Sequence, residues 1–359
     1  MFELSELEKL VSVLIIQEDT EPIYSLLQTE RDNIFSMEII PYYVLFVQSC
    51  QEYMGEKLLK ETLDNNFKDI RNHIKAYSKG FEKSKKKILS VDDRHNEDFK
   101  NTISLEFLKT KNIHFNLGSY WTDAGHIIGN TQQLSDFLTV KSMFDYSLND
   151  KFYHIGYQIG SFVSSVREGL SESMDYPIVH RAQKFVKINN YYDINTNLKN
   201  KLFLQNISKE INLFFLHLLC NMNFIKYILR SLFLDGNKWI FRIEYITSYY
   251  TLRSLERFKN YIESSKNKHF ETEKFVEIFK VGEKIFKTQL RNCMMHYNLR
   301  ESGVITFKNI DKPFYGIIEN CFEGITYQDY LFKLHNLSDK IIDCLENQFD
   351  FSNVKLEKF

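Results

Sequence analysis

Glycine and proline are the scarce residues of this chain, 13 and 4 of 359. Short strands joined by tight turns need both, so their shortage favours long helices and a predominantly α fold is expected. Neither sign of charge dominates, with 46 Lys+Arg against 47 Asp+Glu. That balance argues against a chain that coats nucleic acid non-specifically, yet it leaves room for a local basic groove. The five cysteines, Cys50, Cys220, Cys293, Cys321 and Cys344, are scattered and form no CxxC pair. Their spacing excludes a disulfide framework and a thiolate zinc site, and reads as buried thiols in a reducing compartment. No His/Asp/Glu cluster stands at ligand spacing either, so no metal and no other cofactor is expected. A long uninterrupted apolar run is also missing. The best candidate, 211–234, is broken by Asn212, His217, Asn221, Asn223, Lys226 and Arg230, so a buried core helix is expected and no membrane span. The opening Met1-Phe2-Glu3-Leu4 is acidic and unlike a secretory leader, and a cytoplasmic location is expected.

Aromatic residues are abundant: 31 Phe and 21 Tyr within a 43% hydrophobic composition. A chain of this length can bury a large core without staples. Residues 3–29 carry Leu7, Leu10, Val11, Leu14 and Ile15 at helical spacing. A second helical tract runs from about Tyr42 through Ile74. The charged stretches KGFEKSKKKILS (79–90) and VDDRHNEDF (91–99) read as an exposed helix end and loop, with Lys83, Lys85, Lys86 and Lys87 on a solvated face. LGSYWTDAGHIIGNTQQ (117–133) reads as an ordered loop, whose Asp123 and His126 lack a spaced set of partners. Residues 151–170 return to helix, where Gly156 and Gly160 would permit close packing on a neighbour.

The polar tract KINNYYDINTNLKNK (187–201) is the expected boundary between two regions. Residues 1–198 are expected to form a mostly helical region whose role the sequence does not assign. Residues 199–359 carry helical patterns at 202–233, 241–265, 271–298 and 326–348, with a short strand expected at Val304–Phe307. Short connections between them suggest an antiparallel four-helix bundle.

The third of these helices has an apolar stripe at Phe275, Ile278, Phe279, Ile285, Phe286 and Leu290. It ends in LRNCMMHYNL (290–299). On a continuous helix, Asn292 and His296 lie four apart on one face, and the long arm of Arg291 can swing toward them. A helix C-terminus also favours cations, which gives Arg291 and His296 a plain structural use as charge caps. The chemistry such a trio could support is RNA cleavage by transesterification. A histidine that titrates near neutrality can take the ribose 2′-OH proton or return one to the leaving 5′-oxygen. A guanidinium can hold the scissile phosphate and its developing charge. With 11 arginines and 10 histidines, one Arg–His pair at this spacing arises by chance, so weight falls on the helical context.

That context resembles a known family. LRNCMMHY is similar to the R-polar-x(3–5)-H motif of HEPN domains, all-α domains of many prokaryotic toxins and antiviral RNases, over Lys199 to Leu345. The resemblance implies that Arg291 and His296 are catalytic and Asn292 is the supporting polar residue. It also implies a homodimer with one composite site, and metal-independent cleavage of single-stranded or transfer RNA. A role as a toxin or in anti-phage defence follows from it, with an antitoxin or trigger protein as further partner. Some toxin members carry a modified tyrosine two residues after the histidine. Here Asn298 stands there and Tyr297 precedes it, which makes Tyr297 a secondary candidate. Since some members do not cleave, a dimerising or ligand-sensing module is the alternative expectation.

Overall fold

The computed structural model describes residues 3–29, 33–55, 66–102, 115–138, 142, 147–171, 186–197, 202–203, 207–233, 237–265, 270, 272–300 and 302–358. Parts of the expected second tract (56–65), of the expected boundary (198–201) and of two connections (234–236 and 266–269) lie outside them. Helix predominates, as the shortage of glycine and proline implies. The N-terminal half contributes α1 (Leu4–Leu27), α2 (Asn33–Met54), α3 (Asn66–His73), α4 (Phe81–Thr102), α5 (Thr131–Phe137) and α6 (Ser147–Ser171). After it come α7 (Lys209–Asn223), α8 (Lys238–Ser264), α9 (Val276–Ile285), α10 (Thr288–Met295), α11 (Ile317–Cys321) and α12 (Tyr327–Glu346).

Helix α1 sets Leu7, Val11 and Ile15 into the core as its spacing predicts, whereas Leu10 is exposed. The charged stretch 79–99 is no helix end and loop: after a break at Gly80, residues 81–99 lie inside α4. One face of α4 buries Ser84, Ile88, Val91, Asp92 and His95, a stripe that its many charges obscure in the sequence. Two of its lysines are tied down, Lys85 to Glu210 at 2.9 Å and Lys87 to Asp136 at 2.7 Å.

Residues 117–133 are a β-hairpin running into a helix, where a loop is expected from the sequence. Strands β1 (Leu117–Trp121) and β2 (Ile127–Asn130) pair antiparallel, with Gly125 at φ 83° in the turn. The alternation of β1 is hidden because one of its buried residues is polar. Ser119 donates to the Tyr192 carbonyl at 2.6 Å and accepts from the Trp121 indole at 2.9 Å, so it enters the core satisfied. The tract expected as a boundary supplies β3 (Asn190–Ile194), which pairs with β1. Its other edge takes β4 (Glu357–Lys358), giving the order β2-β1-β3-β4.

The expected boundary is therefore no gap in packing. A strand from the C-terminal end completes a sheet of the N-terminal half, and α7 packs on β2. Buried Asp92 of α4 accepts from Asn116, Gln132 and Thr196, and pairs with Lys209 of α7 at 2.7 Å. One hydrophobic cluster runs from Leu7 to Phe349. Helix α7 with the π and 3-10 turns that follow it is long and apolar enough to cross a membrane, but most of it is buried in this core.

Helix α12 packs against α7, α8 and α9, and α8 against α7, α9 and α10. The segment 271–298 is not one helix. It breaks at Phe286 and Lys287, whose backbones are extended. Tyrosines of neighbouring helices hold the break: Tyr330 donates at 2.8 Å to the Ile285 carbonyl that a continuous helix would use, and Tyr245 donates at 3.2 Å to the Lys287 carbonyl, which also accepts the Arg291 amide of α10. An apolar stripe does not register such competitors. Val304–Phe307 forms no strand; Val304 and Ile305 instead bury their side chains below a turn. Gly156 and Gly160 make no close approach, since a Cβ on either would meet nothing within 4 Å.

Candidate functional site

Helix α10 stops at Met295 because its last carbonyls are taken by side chains from elsewhere. Arg242 of α8 donates to the carbonyls of Cys293 and Met294 at 2.8 and 3.1 Å. Ser49 of α2 donates to that of Met295 at 2.8 Å, and Arg71 of α3 reaches the same oxygen at 3.4 Å. These are the groups that complement the helix C-terminus, a use that the sequence assigns to Arg291 and His296. His296 is the residue just beyond, with an extended backbone at φ −137° and ψ 148°. Asn292 and His296 consequently do not share a helical face, although the His296 amide still donates to the Asn292 carbonyl at 3.0 Å.

Leaving the helix turns the imidazole toward α2. His296 Nδ1 lies 2.9 Å from Glu52 Oε2, and both side chains are about half exposed, at 44% and 50%. Arg71 grips the same carboxylate with both terminal nitrogens, a fork that matches carboxylate geometry. Burial alone would raise the Glu52 carboxyl; hydrogen bonding and charge from Arg71, then from His296, outweigh it and hold it below the usual carboxylate range. Among the described residues His296 Nε2 has no protein partner. The ring borders a cleft of about 410 Å³ lined also by Ser49, Glu52, Tyr53, Asn292 and Asn298.

Arg291 is placed differently from its expected position. It does not line that cleft and points to the α3 and α8 side, within electrostatic reach of Lys75 and Tyr250. Its Nε is buried without a hydrogen-bond partner, and among the described residues it forms no ion pair. Lys75 links the two groups. Burial first, and then Arg71, Lys79 and Arg291, lower its pKa, while Glu52 acts to raise it. The result is a cationic cluster of Arg71, Lys75, Lys79 and Arg291 beside an imidazole held by a carboxylate. Such a cluster can seat a phosphate. Tyr297 lines the cleft's inner wall, but its hydroxyl donates to buried Asp19 at 2.7 Å and its ring lies under Arg242.

The other described histidines offer less. Burial pushes His95 down to about 4 and His217 down to about 3, which makes these neutral core residues, and His73, which burial also lowers, is buried against Asp136 at 2.5 Å. His126 stacks on Tyr227, and Asp123 accepts from Asn190 instead of pairing with it. His335 has a carboxylate at 2.9 Å, Glu244, but the cavity there is about 60 Å³. A groove of about 630 Å³ between α9 and α12 has an apolar floor and no histidine.

Glu52, Arg71 and Lys75 are the members that sequence reasoning misses. Glu52 stands 244 residues from His296, inside a helix whose visible signal is its apolar spacing. The amphipathic RNH at the end of α3 is equally silent on its own. Comparison of the chain with protein-family models, with curated proteins and with solved structures finds no match.

Proposed function

We propose that the cleft at His296 is the active site of a metal-independent endoribonuclease. The observation that carries the reading is the imidazole itself: one nitrogen is engaged by Glu52, the other is open to a cleft, and Lys75, within electrostatic reach of both Glu52 and Arg291, brings cationic side chains to its carboxylate side. His296 Nε2 takes the proton of a ribose 2′-OH as that oxygen attacks the adjacent phosphorus. The bond from phosphorus to the 5′-oxygen breaks, and the 5′-oxygen leaves with a proton. The products are a 2′,3′-cyclic phosphate and a 5′-hydroxyl. Arg291, with Lys75, offsets the charge that develops on the non-bridging oxygens. Asn292, on the cleft wall, donates to the phosphate or ribose.

The resemblance to HEPN domains supports the same reading and adds a homodimer, in which the proton for the leaving oxygen comes from the corresponding histidine of a second copy. It also suggests a cytoplasmic toxin or anti-phage RNase whose partners include an antitoxin or trigger protein. Purified protein incubated with single-stranded or transfer RNA in excess EDTA is expected to release fragments ending in 2′,3′-cyclic phosphate. Arg291→Ala should lower this activity by on the order of a hundredfold or more. Cleavage that needs a divalent ion, or fragments ending in 5′-phosphate, would exclude the mechanism. Sedimentation of the same sample tests the dimer.

A further inference from the structure

We infer that Glu52 is a positioning residue for His296, fixing the imidazole in the tautomer that leaves Nε2 free to accept a proton. The inference rests on the RNA-cleavage reading of the cleft for its catalytic consequence, but its physical content is independent of that reading. A neutral histidine ring carries its proton on one nitrogen, and in water Nε2 is the favoured carrier. A ring in that state cannot act as base through Nε2. A carboxylate on Nδ1 accepts only, so it forces the proton onto Nδ1 and exposes the Nε2 lone pair. The geometry for this is present at 2.9 Å.

Three features make Glu52 fit for holding a ring and not merely for a surface ion pair. Arg71 clamps its carboxylate through both terminal nitrogens, which fixes its plane. Arg71 also reaches the Met295 carbonyl, which Ser49 holds at 2.8 Å, so the residue that orients the carboxylate touches the backbone entering His296. Helix α3 packs against α2, so the clamp rests on two packed elements. The charged and titratable groups around the ring are Glu52 and Tyr53 on α2, Arg71 on α3, Lys75 after it, Cys293 on α10 and Tyr297, with Lys79 and Arg291 further out against Lys75. Of these only Glu52 is within hydrogen-bond distance of the imidazole. His, carboxylate and clamp thus come from one chain, so ring positioning does not require a second copy.

The test reads the tautomer directly. A long-range proton–nitrogen correlation spectrum of the full chain, with the His296 signals identified by their loss in His296→Gln, is recorded at a pH where the ring is neutral. The expected result is a proton on Nδ1 in the natural protein and on Nε2 in Glu52→Ala. Glu52→Gln should keep the proton on Nδ1, because its amide oxygen can still accept. Cleavage by Glu52→Ala is expected to fall by on the order of 10- to 100-fold in kcat with little change in KM, and Glu52→Gln should recover part of it. A proton on Nε2 in the natural protein, or a tautomer indifferent to Glu52→Ala, overturns the inference. If the tautomer responds as expected and no RNA is cut, the positioning stands and the nuclease reading fails.

Discussion

Tyr297 follows His296 in the chain but serves the core. Its hydroxyl donates to Asp19, whose carboxylate also meets Arg242 at 2.9 Å, and all three side chains are buried. Burial pushes the Asp19 carboxyl up against the opposing pull of Arg242 and Tyr297. Removing the hydroxyl leaves a buried acceptor short of a donor. Tyr297→Phe should therefore lose about 1–3 kcal/mol in urea unfolding, with the cleavage rate per folded molecule unchanged; a large loss of rate at full stability would restore Tyr297 as a site residue. Glu38 gives the pH dependence. Burial raises its carboxyl well above the usual range. Between the unfolded and folded values the folded state holds a proton that the unfolded chain has released, so stability is present in full below the unfolded value and falls as pH rises through that window. Glu38→Gln, close to the protonated shape, should remove this decline. Unfolding curves measured from pH 4 to pH 8 should show the variant gaining on the natural protein toward pH 8, and parallel curves would contradict it. Residue-level legibility was uneven for a physical reason. Arg291, Asn292 and His296 could be read because one helix pattern contains them. Glu52 and Arg71 could not, because their relation to His296 exists only after folding.

At the scale of elements, the breaks in the helices carry most of what the sequence conceals. Apolar spacing foretold α1, α7, α8 and α12, since burial is what the period records. It ran straight through Phe286 and through His296, where side chains from other helices take the carbonyls. It also missed the sheet, whose buried polar residues are satisfied by strand partners. Glycine behaves in two opposite ways. Gly316 sits at φ 68°, and a Cβ there would lie 2.3 Å from the Asn309 carbonyl oxygen. It follows Phe314 and Tyr315, both at positive φ and held by the burial of Phe314 and a hydrogen bond from Tyr315 to Glu18 at 2.9 Å. Gly160 lies in α6 with nothing near its Cβ position. Gly316→Ala should cost about 1–3 kcal/mol, and Gly160→Ala should add about 0.5–1 kcal/mol by removing helix-interior glycine. Thermal unfolding of both variants checks this. A destabilising Gly160→Ala would mean that the face is covered in solution.

For the molecule as a whole, the sheet and the Asp92 network join the two halves, so Glu52 of α2, which meets His296, and Arg71 of α3, which clamps it, are anchored to the same core as α10. A site made this way brings together a histidine from one half with a carboxylate and cations from the other. The predominantly α class was legible from composition, because few breakers leave few alternatives to helix. The joining of the halves was not, because β3 comes from a tract rich in turn-forming residues and β4 from the end of the chain. The most direct measurement is the rate at which the natural protein and His296→Ala cut single-stranded RNA in excess EDTA, with thermal unfolding recorded on both. The expected result is cleavage by the natural protein and none above background by a variant that is equally folded. Equal cleavage by the two would remove His296, and with it the proposed active site.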